Sequence, residues 1–419
     1  MSNVVSRRLS LCAALACLAA LAGCDQTPSP SFHLNMVEIA SKQIPKNQQQ
    51  EIANILEAMF GTPDHPYVLT DTGLDQAKLD LAAGPVRSDQ FGKETGLYRR
   101  HCGHCHGTTG DGMGPTAFIL NPYPRDYRQG KFKFKSTERA SKPTDHDLEI
   151  IVRHGVQGTA MPAFDLLPDP QIKALIEYVK YLSIRGQTEI NLIIAMTDLG
   201  EGESLETSRG ILVDQILKPV VESWQQAPES IVQPPEKPDI APAESIAQGR
   251  DLFYGKDVNK DGNCAKCHGW SALGDGQTSD YDDWNKQVKK LRDDMESEAA
   301  SLATDSSLPP DELKAKQAQL SFDRMVLSHD ALPPRAITPR NLRQNIYRGG
   351  RRPVDLYRRI SAGINGVPMP GVGPASPGAT GTLTPEEIWA LVDYVRSLPY
   401  EPIGEPPRIK PLVVGQAGF

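Results

Sequence analysis

The chain has 419 residues, enough for two or three domains, and its 45 basic against 52 acidic side chains leave a net charge of −7. It has no basic block and its isoelectric point is near 5.8, which argues against nucleic acid or another polyanion as a partner. Aromatic residues make up only 6%, whereas glycine and proline number 35 each, a mix that predicts small loop-rich modules over one large sheet.

In chain order, residues 1–23 form a targeting segment. Arg7 and Arg8 give a positive start, and the apolar run 9–22 suits a signal peptide better than a membrane span. The run ends Leu21-Ala22-Gly23-Cys24, which resembles the lipobox of bacterial lipoproteins. That resemblance implies lipidation of Cys24 and cleavage before it; plain secretory cleavage or an uncleaved anchor are the alternatives. Acyl chains at one terminus anchor a chain because each buried CH₂ adds about 0.8 kcal/mol. Cleavage there leaves 43 basic and 52 acidic residues, a net −9. Asp25 follows, a residue that in enteric lipoproteins tends to retain the protein at the inner membrane.

Residues 24–87 form an extension with one expected helix near 47–59. From there the sequence repeats itself in five signals. LYRRHCGHCHG (97–107) faces LFYGKDVNKDGNCAKCHG (252–269), and GDG recurs at 110–112 and 274–276. PRDYRQ (124–129) faces PRNLRQ (339–344), and the stretch ending GTAMP at 162 faces the one ending GVPMP at 370. Closing helices are expected over 169–182 and 384–398. Asp169-Pro170 and Thr384-Pro385 supply an N-cap and a proline at N1, and Thr384 with Glu387 fits a capping box. Ile172, Leu175, Ile176, Val179 and Leu182 fall on one helical face, and Ile388, Leu391, Val392, Val395 and Leu398 repeat the spacing.

Two homologous all-α modules follow, at 88–184 and 245–400, with opening helices at about 89–100 and 245–253. Between them, 185–244 holds two expected helices (about 187–198 and 207–226) and then VQPPEKPDIAP, an extended linker. The second module carries a charged insertion at about 279–330, read as a helical hairpin broken at Leu308-Pro309-Pro310; its charges suit a solvated face or, alternatively, a docking surface. A tail, 401–419, ends the chain.

The chemistry sits in the cysteines. Of seven, Cys12, Cys17 and Cys24 lie in the targeting segment, and Cys102, Cys105, Cys264 and Cys267 form two CxxC pairs. Zinc held by four thiolates and a thioredoxin-like redox pair both use CxxC. Neither requires the His that follows each second Cys, and no βαβ pattern surrounds either pair. Covalent haem requires that His: two thiols across one helical turn reach the two vinyl groups, and the next imidazole faces the iron.

His106 and His268 are then the fifth ligands. For the sixth, the repeat offers Met161 and Met369. Met113 and His154 are rivals in module one, but their repeat partners, Gln277 and Ser361, cannot play the same part; both Met-Pro pairs could also simply fill core. Thioether ligation favours ferrous iron and raises the potential. Arg125 and Arg340, at matching positions, are placed to pair with haem propionates or are plain surface arginines. Pro122 or Pro124 is expected to offer the carbonyl that accepts the imidazole N–H. Tyr178 and Tyr394 pack either on haem or in the helix core. Asp257-Val-Asn-Lys-Asp-Gly262 opens like an EF-hand loop, but its twelfth position is His268, so a polar turn is expected there.

Each module therefore resembles a class I cytochrome c, over 88–184 and 245–400. The segment NPYPRDYRQGKFKF (121–134) resembles the single-haem lipoprotein subunit of alternative complex III, a quinol oxidoreductase, and the tandem arrangement resembles cytochromes that dock to terminal oxidases. The resemblance implies two covalently bound haem c groups and single-electron transfer in a membrane-associated respiratory chain. It implies a carrier between a quinol-oxidising complex and a terminal oxidase, with no catalysis of its own, on the periplasmic face of the cytoplasmic membrane. The competing readings are a dihaem cytochrome c peroxidase and a cytochrome subunit that accepts electrons from a periplasmic dehydrogenase.

Overall fold

The computed structural model describes residues 29–199, 203–256, 262–374 and 382–402. The leader with Cys24, the loop 257–261 of the EF-hand-like stretch and most of the tail lie outside the described residues. Among the described residues the fold is all-α apart from one strand pair.

Before the first CxxCH come α1 (Met36–Lys42), α2 (Lys46–Phe60) and α3 (Gln76–Ala82). The side chains of Asn35 and Asp75 cap α1 and α3 by accepting backbone N–H groups of the first turn. A two-residue antiparallel pair follows, β1 (Arg87–Ser88) with β2 (Glu94–Thr95), in the register Arg87↔Thr95. Module one continues with α4 (Leu97–His101), α5 (Gly103–His106), α6 (Asp145–His154) and α7 (Asp169–Thr197). A π-helical stretch, Gly210–Leu217, runs into α8 (Lys218–Gln225). Module two contains α9 (Pro242–Phe253), α10 (Ala265–His268), the insertion helices α11 (Asp283–Thr304) and α12 (Pro310–Asp330), then α13 (Pro353–Ala362) and α14 (Pro385–Ser397).

Four expectations change. The opening of module one is not a helix over 89–100. Asp89 Oδ1 accepts the N–H groups of Phe91 and Lys93 and turns the chain into the hairpin, and the helix starts only at Leu97. Gly96 makes that start possible: at φ +72° it lies so close to Pro85 that a Cβ would sit 2.4 Å from the Pro85 oxygen. Second, the closing helix does not stop near 182 or at the expected boundary of 184. It runs unbroken to Thr197 and absorbs the helix expected at 187–198, because no proline intervenes and Ile184, Leu192, Ile193 and Met196 keep one side buried.

Third, the extension and most of the linker belong to module one. Leu56, Phe60 and Leu79 share one hydrophobic cluster with Leu175, Tyr178 and Leu182 of α7 and with Leu217, Val220 and Trp224. A sequence that looked peripheral is thus the outer wall of the first core. Fourth, the insertion is not merely a solvated face. Val288, Leu291, Leu327 and Ala331 bury against Val37 of α1. Its first turn is tied to module one by Lys131–Asp283 (2.6 Å) and Lys133–Asp282 (2.9 Å).

The second core gathers Leu252, Phe253, Leu342, Tyr347, Leu356, Trp389, Leu391 and Tyr394. There α9 and α14 cross in direct contact at Gly249, where a Cβ would lie 2.0 Å from the Ala390 carbonyl oxygen.

Candidate functional site

Each CxxCH closes one helical turn. His106 N–H donates to Cys102 O (2.9 Å) and His268 N–H to Cys264 O (2.8 Å). This sets two thiols one turn apart with the imidazole beside the second. The loop then folds back identically in both copies. Gly112 N–H donates to His106 O and Gly274 N–H to His268 O; Tyr127 N–H donates to Gly110 O and Leu342 N–H to Ala272 O. These bonds correct the register of the repeat. Gly274, not Gly276, stands opposite Gly112, so the two GDG triplets are offset by two and the counterpart of Met113 is Asp275, not Gln277. Ala272 takes φ +57° where Gly110 takes φ +74°.

The imidazoles are oriented by backbone carbonyls. His106 Nδ1 lies 3.0 Å from Arg125 O, and His268 Nδ1 lies 3.3 Å from Arg340 O. The acceptor is therefore the arginine of each PR pair, not Pro122 or Pro124. The proline ahead of it is fixed instead by Gly112 and Gly274, which pack on the carbonyls of Pro124 and Pro339. A carbonyl can only accept, so Nδ1 carries the proton and Nε2 keeps a free lone pair. Burial holds His106 down at about 4 and also lowers His268, so both rings are neutral at pH 7 and ready to ligate a metal.

The thiols point the same way. Burial pushes Cys102 and Cys264 up to about 12. A redox CxxC pair needs the opposite, a thiol lowered toward neutrality. Zinc held by all four cysteines is not supported either: the pairs lie in separate modules, and among the described residues no group of three or more His, Cys, Asp or Glu side chains could hold a metal ion.

The methionines sit on matching turns. Val156 N–H donates to Met161 O and Ile364 N–H to Met369 O, both at 3.2 Å. Phe164 N–H donates to Val152 O, and Val372 N–H to Ile360 O, both at 3.1 Å. Both loops are thus tied back to the preceding helix, α6 or α13. Met161 lines a cavity of about 380 Å³ together with Cys102, Cys105, His106 and Arg125. Such a volume falls in the range of cofactor sites. Met113 lines it too, but its neighbour Gly114 is bonded to Cys105 O, so Met113 belongs to the same wall as His106. Met161 comes from a different wall. His154 is exposed at the end of α6.

Tyr178 and Tyr394 resolve as core residues. Tyr98 packs on Tyr178 with ring centroids 4.8 Å apart, and Phe253 packs on Tyr394 at 5.3 Å. Each is the same contact, between the segment leading to CxxCH and the closing helix.

The two sites meet at the module interface. Arg348 Nη2 donates to Gly158 O (3.3 Å) in the Met161 loop, and the Arg340 guanidinium lies against the same glycine. In the opposite direction, Arg139 Nη2 donates to Val367 O (2.8 Å) in the Met369 loop. The Trp284 ring packs on Gly366, and Arg125 stacks 3.6 Å over that ring. Arg125 thus lines its own module's cavity, while Arg340 reaches toward the first module with its Nε bonded to Ile346 O. Nothing in the sequence marked Trp284 as part of module one's site.

Comparison with known proteins agrees with this geometry. The family model for cytochrome c oxidase, cbb3-type, subunit III matches residues 92–179, and the cytochrome c model matches residues 246–399. No curated protein matches the chain. A solved structure, the Kuenenia stuttgartiensis reducing HAO-like protein complex, is 22% identical with a TM-score of 0.42, covering 74% of this chain and 97% of that one. Two cytochrome c modules in tandem, each built around a CxxCH turn, make this chain a dihaem c-type cytochrome, an electron-transfer protein with two covalently bound haem c groups.

Proposed function

We propose that this cytochrome is a one-electron carrier with no catalysis of its own, working between a quinol-oxidising complex and a terminal oxidase. Cys102 and Cys105, and Cys264 and Cys267, would hold the two haems through thioethers, and His106 with Met161, and His268 with Met369, would ligate the two irons. Haem supplies the redox chemistry. The chain's part is to hold the ligands still: the carbonyls of Arg125 and Arg340 orient the imidazoles, and the matched turns fix the methionines.

The observation that carries this reading is the pair of matching backbone hydrogen bonds that ties each methionine loop to its preceding helix. A peroxidase needs one haem open to peroxide, and a matched thioether loop in both modules favours a closed site in each. The oxidase end is supported by the family name attached to the match over 92–179. Among the described residues no helix is long and apolar enough to cross a membrane. Attachment to the periplasmic face of the cytoplasmic membrane then rests on a lipid at Cys24, which raises the effective concentration at membrane partners. An acidic carrier fits a docking partner with a basic face.

The deciding experiment is affinity capture of the intact protein from its native membranes, with a peroxide-turnover assay on the same preparation. Recovery of a quinol-oxidising complex or an oxidase, with no peroxide consumption, is expected. Recovery of a periplasmic dehydrogenase alone, or turnover of peroxide at a high-spin haem, would replace this reading.

A further inference from the structure

The cavity of module one is closed on one side by module two. Asp282, Trp284, Arg335 and Arg348 all line it. This wall is firmly held: Arg335 donates to Phe118 O and Leu120 O, both at 2.7 Å, and its guanidinium lies 4.1 Å over the Tyr123 ring. Tyr123 Oη in turn donates to Pro333 O.

Two buried donors on this wall have no partner among the described residues, Trp284 Nε1 and Arg348 Nε. A buried N–H without an acceptor is unfavourable, so an acceptor belongs there. The wall is also rich in cations. Arg125 stacks on Trp284 and makes no salt bridge among the described residues. The nearby carboxylate of Asp282 is already engaged, accepting from Lys133 Nζ and capping α11 at Asn285. Unsatisfied donors beside an unpaired cation describe the place of an anion with acceptor oxygens. The haem of module one brings two such groups, its propionates.

We propose that Trp284 and Arg348 of module two donate hydrogen bonds to a propionate of the module-one haem, so that the second module completes the first haem's site and helps set its potential. Trp284 is then a positioning residue shared by both sites, since its ring also packs on Gly366, three residues before Met369; a Cβ at Gly366 would lie 2.5 Å from it. The insertion that carries Trp284 is thereby part of the redox machinery.

The test uses full-length protein carrying both haems. Trp284→Phe and Arg348→Gln each remove a donor, and spectroelectrochemical titration reads the two midpoint potentials. A propionate that loses a donor or a nearby cation leaves more negative charge beside the iron, which favours the ferric form. At fixed potential the reduced-to-oxidised ratio of haem one should fall about tenfold in Arg348→Gln, about 59 mV for one electron. A smaller fall in the same direction is expected in Trp284→Phe, and haem two should be unmoved in Arg348→Gln. Met161→His, which displaces haem one alone, identifies its wave. The unmodified protein gives a second readout: the Trp284 indole N–H should exchange slowly with solvent and shift in NMR when haem one changes oxidation state. Reduced-to-oxidised ratios of haem one within twofold of the parent in both variants, or a freely exchanging indole N–H, would overturn the proposal. A preparation lacking two haems would contradict the haem assignment instead, which separates the two failures.

Discussion

Replacing Gly249 by alanine tests the helix crossing that holds the second haem turn in place. Inside a helix, alanine is ordinarily better than glycine by about 0.5–1 kcal/mol. In α9 the new methyl would lie 2.0 Å from the Ala390 oxygen and 2.5 Å from its carbonyl carbon. Ordinary contact needs about 3.5–4.0 Å. Both opposing atoms are backbone of α14, so no rotamer change relieves the clash and the helices must part by roughly 1–1.5 Å. Parting them loosens the Phe253–Tyr394 contact beside the crossing. Overpacking of this kind costs about 1–3 kcal/mol. Set against the helix-propensity gain, the net loss should be about 1 kcal/mol. The assay is guanidinium unfolding of the haem-loaded protein, followed by far-UV circular dichroism and by the haem absorbance of module two. The sign decides the matter, because propensity alone predicts a gain. A variant as stable as the parent, or more stable, would refute the close crossing.

Met161→Ala should open the sixth position of haem one, giving it a high-spin ferric spectrum and a lower potential; an unchanged low-spin spectrum would hand the ligand role to Met113. Leu327→Ala, at a position 3% exposed in the cluster that docks the insertion on α1, should cost about 2–3 kcal/mol and speed proteolysis within α11 and α12; unchanged cleavage would mean the hairpin is held by its ion pairs alone. Stability should also depend on pH above neutrality. Burial lowers Lys135 to about 7 and Lys142 to about 8, whereas the unfolded chain keeps those protons until about pH 10.4. Between these limits the unfolded state binds more protons, so stability rises from about pH 7 toward pH 10. Lys135→Met should flatten the rise, and denaturation midpoints that fall over that window would contradict the assignment.

What the sequence revealed and what it hid have separate physical causes. The CxxCH turns, the Met-Pro turns and the starts of the closing helices are local patterns, set by spacing and capping, and each lies where its residues indicated. The imidazole's acceptor was misplaced because every residue carries a carbonyl. Only the fold shows that the ones in reach belong to Arg125 and Arg340. The two-residue offset between the GDG triplets was hidden because identical letters aligned better than equivalent backbone positions. Ala272 adopting a glycine-like φ is what restores the true register. The insertion read as solvated because charge dominates it, yet Asp282 and Asp283 are partners of Lys133 and Lys131 across the interface. Trp284 was silent for the same reason: its site lies in the other module, and no periodicity links residues so far apart.

The central claim is that each CxxCH turn carries a haem. The direct measurement is the intact mass of the mature protein, expressed in a host able to mature c-type cytochromes, together with its pyridine haemochrome spectrum. The account predicts two c-type haems per chain, with one lost when Cys102 and Cys105 are both replaced and the other when Cys264 and Cys267 are. A colourless product, or one whose mass shows fewer than two haems, would contradict it.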